Sequence, residues 1–195
     1  MIELFGQQIS YVEIIGTIFG IVGVWLTIKR NIFCFPAGIV NVALYAYLFI
    51  QSKLYADALL QVFYVVLLIY GWIKWLKKNK EDESTEVTKS SSSLLLMLSL
   101  IGIVFTILLG TFFKHYTDAS LPYIDSLTTS ISLVAQWMIA KKKIENWLLW
   151  IVADVIYVGM YIYKHLYLTS ALYFIFIILA VMGYVEWKKS LADEK

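Results

Sequence analysis

Trp147-Leu148-Leu149-Trp150-Ile151-Val152-Ala153-Asp154 opens a run that stays apolar as far as Tyr163, interrupted by a single carboxylate. As a helix, a run of that length matches the hydrocarbon core of a bilayer, which takes about 17–25 residues to cross. An ionised Asp in the middle of such a span costs roughly 2.5–3.5 kcal/mol on insertion scales, so it normally faces a partner, a ligand or water. At about 3.6 residues per turn, positions 147, 150, 154, 157 and 161 fall on one stripe. Two indoles, the carboxylate of Asp154 and the phenols of Tyr157 and Tyr161 therefore line up as one wall of a site suited to a flat, cationic molecule.

The rest of the chain has the same solvent in mind. Of its 195 residues 61% are hydrophobic and 15% charged, with mean hydropathy +0.75, where a soluble domain is about half apolar and a quarter charged. Spans are expected at 11–29, 32–50, 54–76, 94–113, 122–140, 145–163 and 167–187, which makes an all-α membrane protein of seven helices. The N-terminal Met1-Ile-Glu-Leu-Phe-Gly-Gln-Gln has no basic region ahead of an apolar run, so the first span is expected to direct insertion itself. The lone Cys34 leaves no intrachain disulfide and no cysteine metal cluster. His115 and His165 fall in predicted loops. With no Walker-type loop, no dinucleotide fingerprint and no nucleophile elbow, the parts of an ATP-driven pump or a membrane hydrolase are missing. Neither a cofactor nor a nucleic-acid partner is expected; the lipid bilayer is, and self-association is left open.

Basic residues orient the spans. Thirteen of the sixteen Lys and Arg side chains fall on one side, among them Lys29, Arg30, Lys141, Lys142, Lys143, Lys188 and Lys189; only Lys53, Lys114 and Lys164 fall on the other. The C-terminus is accordingly expected in the cytoplasm and the N-terminus outside.

Sliding the chain on itself by 112 residues aligns Tyr11 with Tyr123, Trp25 with Trp137, Lys29 with Lys141, Tyr45 with Tyr157, Leu54-Tyr55 with Leu166-Tyr167, Gly71 with Gly183 and Trp75 with Trp187. Coincidence of rare residues in one register argues for an internal repeat. Two three-helix repeats, 1–76 and 122–189, are then joined by a polar linker over 77–93 and a connecting helix over 94–113. One span between two triplets gives both the same orientation, a parallel three-one-three plan of the kind whose transporters bind substrate near the midplane. The linker reads as a plain tether, and the connecting helix carries no chemistry.

Polar residues mark further walls. Asp57, Gln61 and Tyr64 share a face of the third span; Asn41 continues the second, where Gly38, the counterpart of Trp150, leaves a gap fit for a ring. Asp125, Thr129, Ser132 and Gln136 stripe the fifth span and are expected to line a water-accessible cavity. In the first span Gly16 and Gly20 form a small-xxx-small pair that lets helices approach closely.

Asn31 with Gly38-Ile-Val-Asn41, Leu54-Tyr55-Ala-Asp57, Leu60-Gln61-Val-Phe63, Tyr70-Gly71-Trp72-x-x-Trp75 and Glu145-Asn146-Trp147-Leu-Leu-Trp150-x-x-x-Asp154 together resemble the Pnu family of bacterial vitamin transporters, over Tyr11 to Lys189. The resemblance implies passive uptake of a vitamin, nicotinamide riboside by default, with net flux maintained by a cytoplasmic kinase that phosphorylates the cargo. It also implies that Trp147 and Trp150 enclose the ring while Gln61 and Asn41 bond its polar groups. Asp154 departs from the Asn common in the nicotinamide riboside branch and matches the thiamine branch; both vitamins are cations. The candidate binding set is Trp147, Trp150, Asp154, Gln61, Asn41, Gln136 and Tyr157. Two other readings use the same residues: a membrane subunit whose polar stripe only glues helices, and a sugar facilitator.

Overall fold

The computed structural model describes residues 2–4, 7–51, 55–80, 87–117, 121–163 and 167–193. Leu54, His165, the acidic stretch 81–86 and the side chain of Asp57, all invoked above, lie outside the described part. Seven helices appear among the described residues: α1 (Tyr11–Ile28), α2 (Cys34–Gln51), α3 (Tyr55–Lys80), α4 (Ser92–Tyr116), α5 (Pro122–Ala140), α6 (Asn146–Tyr163) and α7 (Tyr167–Asp193). A short antiparallel hairpin, β1 (Ile2–Leu4) against β2 (Gln7–Ile9), precedes them. The all-helical expectation misses it because three-residue strands are too short for alternation to show.

Five stretches are long and apolar enough to cross a membrane: Tyr11–Ile28, Leu60–Lys77, Ser92–Tyr116, Asn146–Tyr163 and Ser170–Ala192, with Cys34–Leu48 a shorter apolar helix. The 19-residue α5 has the length but not the hydropathy, because Asp125, four hydroxyl side chains from Ser126 to Ser130, Ser132 and Gln136 interrupt it.

The chain divides into two compact units, Met1–Thr85 and Glu86–Lys195. In the first, α2 packs on both α1 and α3. Ser10 caps α1 by accepting from the Val12 N–H at 3.1 Å, and satisfies one of the free donors of the first turn. The close approach of α1 to α2 runs through Gly16, beside Leu44 and Tyr45, and Gly23, beside Ala37 and the Gly38 backbone. Gly16 of the expected small pair thus meets α2, and Gly23, seven residues on, does so as well. Asn41 Nδ2 donates to the Gly16 carbonyl at 2.7 Å and the Thr17 and Tyr45 hydroxyls bond at 3.0 Å.

In the second unit α5 packs on α4 and α6, and α6 on α7. Along α4 Gly110 is the buried residue; a Cβ there would fall 2.5 Å from the Tyr123 ring, and Thr106 Oγ1 donates to Ser130 Oγ at 2.8 Å. Ile103, Val104, Ile107 and Leu108 are exposed, as suits a helix bathed in lipid.

Local geometry recurs at the 112-residue offset. Adding 112 to α2 gives the bounds of α6, and the turns that precede these helices match bond for bond. Lys29 N–H to Trp25 O and Lys141 N–H to Trp137 O are both 3.2 Å; Asn31 to Leu26 and Lys143 to Met138 are both 2.9 Å; Arg30 to Thr27 and Lys142 to Ile139 are 3.0 and 2.9 Å. Arg30 and Lys142 carry the positive φ of the turn, 53° and 52°. Lys29 lies 5.4 Å from the Trp25 ring centroid and Lys141 5.6 Å from that of Trp137. Phe35 meets Trp75 edge-on at 5.0 Å and 88°; Trp147 meets Trp187 edge-on at 5.4 Å and 87°.

Candidate functional site

Among the described residues no three His, Cys, Asp or Glu side chains gather in a way that would hold a metal ion, so the site chemistry rests on aromatic rings, amides and carboxylates. Asp154 is 3% exposed on an otherwise apolar stretch of α6. It makes no hydrogen bond or ion pair among the described residues. A buried carboxylate in that state is costly and marks a place where a cation or a donor is meant to arrive.

Around it the stripe predicted on α6 divides by contact. Trp150 is half-buried, with neither a ring partner nor a hydrogen bond among the described residues. Tyr157 is held from two sides: its ring lies 4.6 Å from that of Tyr173 on α7 and stacks on Tyr161 at 6.0 Å and 18°. Its hydroxyl approaches Thr128 and Ser132 on α5, without completing a bond to Ser132 Oγ, which is buried and unpartnered. In the first unit the equivalent Tyr45 reaches the Thr17 hydroxyl. Tyr45 thus reaches from α2 to a hydroxyl on α1, and Tyr157 from α6 towards hydroxyls on α5.

Trp147 differs from Trp150. It is 1% exposed, edge-on to Trp187, and so close to α7 that a Cβ on Gly183 would stand 2.6 Å from its ring. Its Nε1 is buried with no hydrogen-bond partner. The sequence stripe joins the two indoles, while the structure gives Trp147 the packing place that Phe35 holds in the first unit.

On α5 the expected alternative, hydroxyls folded back on their own helix, operates at neighbouring positions. Ser126, Thr128 and Ser130 donate to carbonyls three or four residues earlier, at 2.7–3.1 Å. Gln136 is half-buried and makes no such bond. On the first unit, Asn41 is engaged as helix glue with Gly16, whereas Gln61 on α3 is half-buried and without a hydrogen bond among the described residues. The gap expected over Gly38 is filled: a Cβ there would meet Leu68 at 3.0 Å. Glycine at that position serves the fit of α2 against α3. An open, wholly apolar groove lined by Leu100, Ile101, Val104, Phe105 and Leu108 on α4 holds none of these groups and belongs to the lipid-facing surface.

Trp150, Asp154, Gln136 and Gln61 are therefore the candidates with unspent binding capacity, and Trp147, Tyr157 and Asn41 those already committed to packing. Sequence spacing could not separate the two sets, because the partners that commit these side chains, Tyr161 beside Tyr157 apart, come from another helix.

A family model described as nicotinamide mononucleotide transporter matches residues 10–189. The nicotinamide riboside transporter PnuC of Escherichia coli K12 is 29% identical over 211 residues, covering 95% of this chain and 88% of that protein. The protein of the same description from Neisseria mucosa is 26% identical over 191 residues, covering 92% and 73%. Among solved structures, one described as the crystal structure of the vitamin B3 transporter PnuC superposes with a TM-score of 0.75 and 25% identity, over 95% of this chain and 84% of the other.

Proposed function

The chain belongs to the nicotinamide mononucleotide transporter family, a family of multi-pass membrane proteins, and from that premise we propose that it carries out facilitated uptake of nicotinamide riboside. The observation that carries the reading is Asp154: a carboxylate 3% exposed, on a span-length apolar helix, with no hydrogen-bond or ion-pair partner among the described residues. Nicotinamide riboside brings the missing positive charge as a pyridinium. An aromatic cation over an indole gains a further 0.5–2 kcal/mol or so, which gives the uncommitted Trp150 its role.

Charge also chooses between the riboside and its phosphorylated form. Of the spans that carry the candidate residues, α2, α5 and α6 contain no Lys or Arg, and α3 has its lysines only from Lys74 onward, thirteen residues past Gln61, while α5 and α6 contribute Asp125 and Asp154. A phosphate would meet carboxylates and no counter-charge, so the cargo is the nucleoside. Asp154 itself favours a second cargo, thiamine, whose thiazolium is equally cationic; neutral riboflavin gains less from it.

In this reading Trp150 stacks on the ring, Asp154 balances its charge, and Gln136 with Gln61 bonds its amide or hydroxyl groups. Tyr157 and Trp147 hold the wall, and Asn41 ties α2 to α1. The helices follow a parallel three-one-three plan with α4 as the link, and the basic side faces the cytoplasm. A cytoplasmic kinase traps the cargo, so uptake needs no ion gradient. Titrating the purified protein with nicotinamide riboside, thiamine and riboflavin while following tryptophan fluorescence tests the proposal. Saturable quenching by the riboside is expected; silence towards all three vitamins would remove the vitamin reading altogether.

A further inference from the structure

The segment Val87 to Ser91, expected as the end of a plain tether, is hydrogen-bonded along the turn between α5 and α6. The Thr88 N–H donates to the Lys142 carbonyl at 3.0 Å and its carbonyl accepts from the Ile144 N–H at 3.1 Å, which makes a parallel bridge between Thr88 and Lys143. Both oxygens of Glu145 are then filled by one residue: Ser90 N–H donates to Oε1 and Ser90 Oγ to Oε2, each at 2.9 Å. Lys143 Nζ donates to the Lys89 carbonyl at 3.1 Å, and Val87 is 1% exposed. The strap runs straight into α4, whose N-cap is Ser91. Hydrogen bonds to a charged carboxylate are stronger than those between neutral groups.

The strap is not needed to build the turn it grips. The turn between α1 and α2 has the same hydrogen bonds, to within 0.1 Å at Lys29, Arg30 and Asn31, and the same positive φ at Arg30. No strap lies on it among the described residues, and the position of Glu145 is taken there by Phe33, which is 65% exposed. A feature that one copy of the turn has and the other folds without serves something other than folding. What it does mechanically is plain: α4 packs on α5, and the strap ties its start to Glu145, immediately ahead of α6 and five residues before Trp150.

We propose that Glu145 is a positioning residue, the latch of a strap that makes α4, α5 and α6 move as one body and thereby sets the rate at which the site on α6 changes its exposure. The proposal rests on the transport reading given above. Glu145 lies a full turn or more from Trp150 and Asp154 and touches no cargo, so the latch acts on rate and not on affinity.

The test uses full-length protein in liposomes, with Glu145→Ala, Glu145→Gln and Ser90→Ala beside the wild type. Opening the latch should lower the maximal rate of nicotinamide riboside uptake roughly fivefold, as expected for a gating defect, with the dissociation constant within about twofold. Glu145→Gln, which keeps an acceptor for the Ser90 N–H, should fall between. Closing the strap again in the Glu145→Ala protein with a disulfide, from Thr88→Cys and Lys143→Cys at the bridged pair, should restore the rate under oxidation and lose it again on reduction, with Cys34→Ala as common background. A merely structural role would cost folded protein and leave the rate per folded molecule untouched. Amide exchange gives a readout without cargo: protection at Thr88 and Ile144 should drop about tenfold or more in Glu145→Ala. If the wild type carries no vitamin but exchange drops, the transport reading fails and the strap stands as structure without the rate role. Wild-type rates in a folded Glu145→Ala protein, or a cross-link that restores nothing, overturn the latch.

Discussion

At the scale of single residues, the decisive contrast is between a carboxylate that has no partner and an indole that has several. Replacing Asp154 with Leu removes a buried carboxylate that no described residue pairs with, so thermal stability in detergent should hold or rise. Uptake should fall by about tenfold or more, the equivalent of roughly 1.4 kcal/mol of lost attraction to a cationic cargo. A Leu variant that transports normally would mean that Asp154 faces nothing but helices. Gly183→Ala acts in the other direction. The added carbon would stand 2.6 Å from the Trp147 ring, an overpacking that should cost about 1–3 kcal/mol in thermal unfolding. Gly159→Ala, with open space around it, should stay within about 0.5 kcal/mol of wild type. Asp154 was legible in the sequence because a charge on an apolar run stands out by itself. The packing of Trp147 was not, since Gly183 and Trp187 lie more than thirty residues further on and spacing along α6 carries no trace of them.

Elements were the easier scale to read. The apolar runs predicted every helix, and the boundaries moved by a few residues at most: 94–113 became Ser92–Tyr116, and 167–187 extended to Asp193. The run over 122–140 was legible even though hydroxyls and Gln136 lower its hydropathy, and the repeat agrees with it, because Tyr123, Trp137 and Lys141 repeat Tyr11, Trp25 and Lys29. What the repeat could not predict is the strap, for which the first turn has no counterpart. The turns themselves offer a matched test. Arg30 and Lys142, at φ 53° and 52°, occupy the left-handed region, which costs an ordinary residue about 1–2 kcal/mol and a β-branched one more. Arg30→Val and Lys142→Val should each destabilise by at least about that amount in thermal unfolding, while the two Gly variants should match or exceed the wild type. Equal effects of Val and Gly at either turn would contradict the shared geometry.

For the whole molecule, composition marked a membrane protein at once. The two units, Met1–Thr85 and Glu86–Lys195, each repeat the same turns and edge-on ring pairs, and α4 falls with the second unit, a membership that its uniform apolar sequence did not reveal. A passive facilitator has a distinctive signature, since it stops when inner and outer concentrations are equal. The most direct measurement is the uptake of labelled nicotinamide riboside into liposomes that contain the purified protein, with no ATP and no ion gradient. Saturable uptake that levels off at equal concentration and is lost in Asp154→Leu is the expected result; uptake no faster than into empty liposomes, or accumulation only under an imposed gradient, would contradict it.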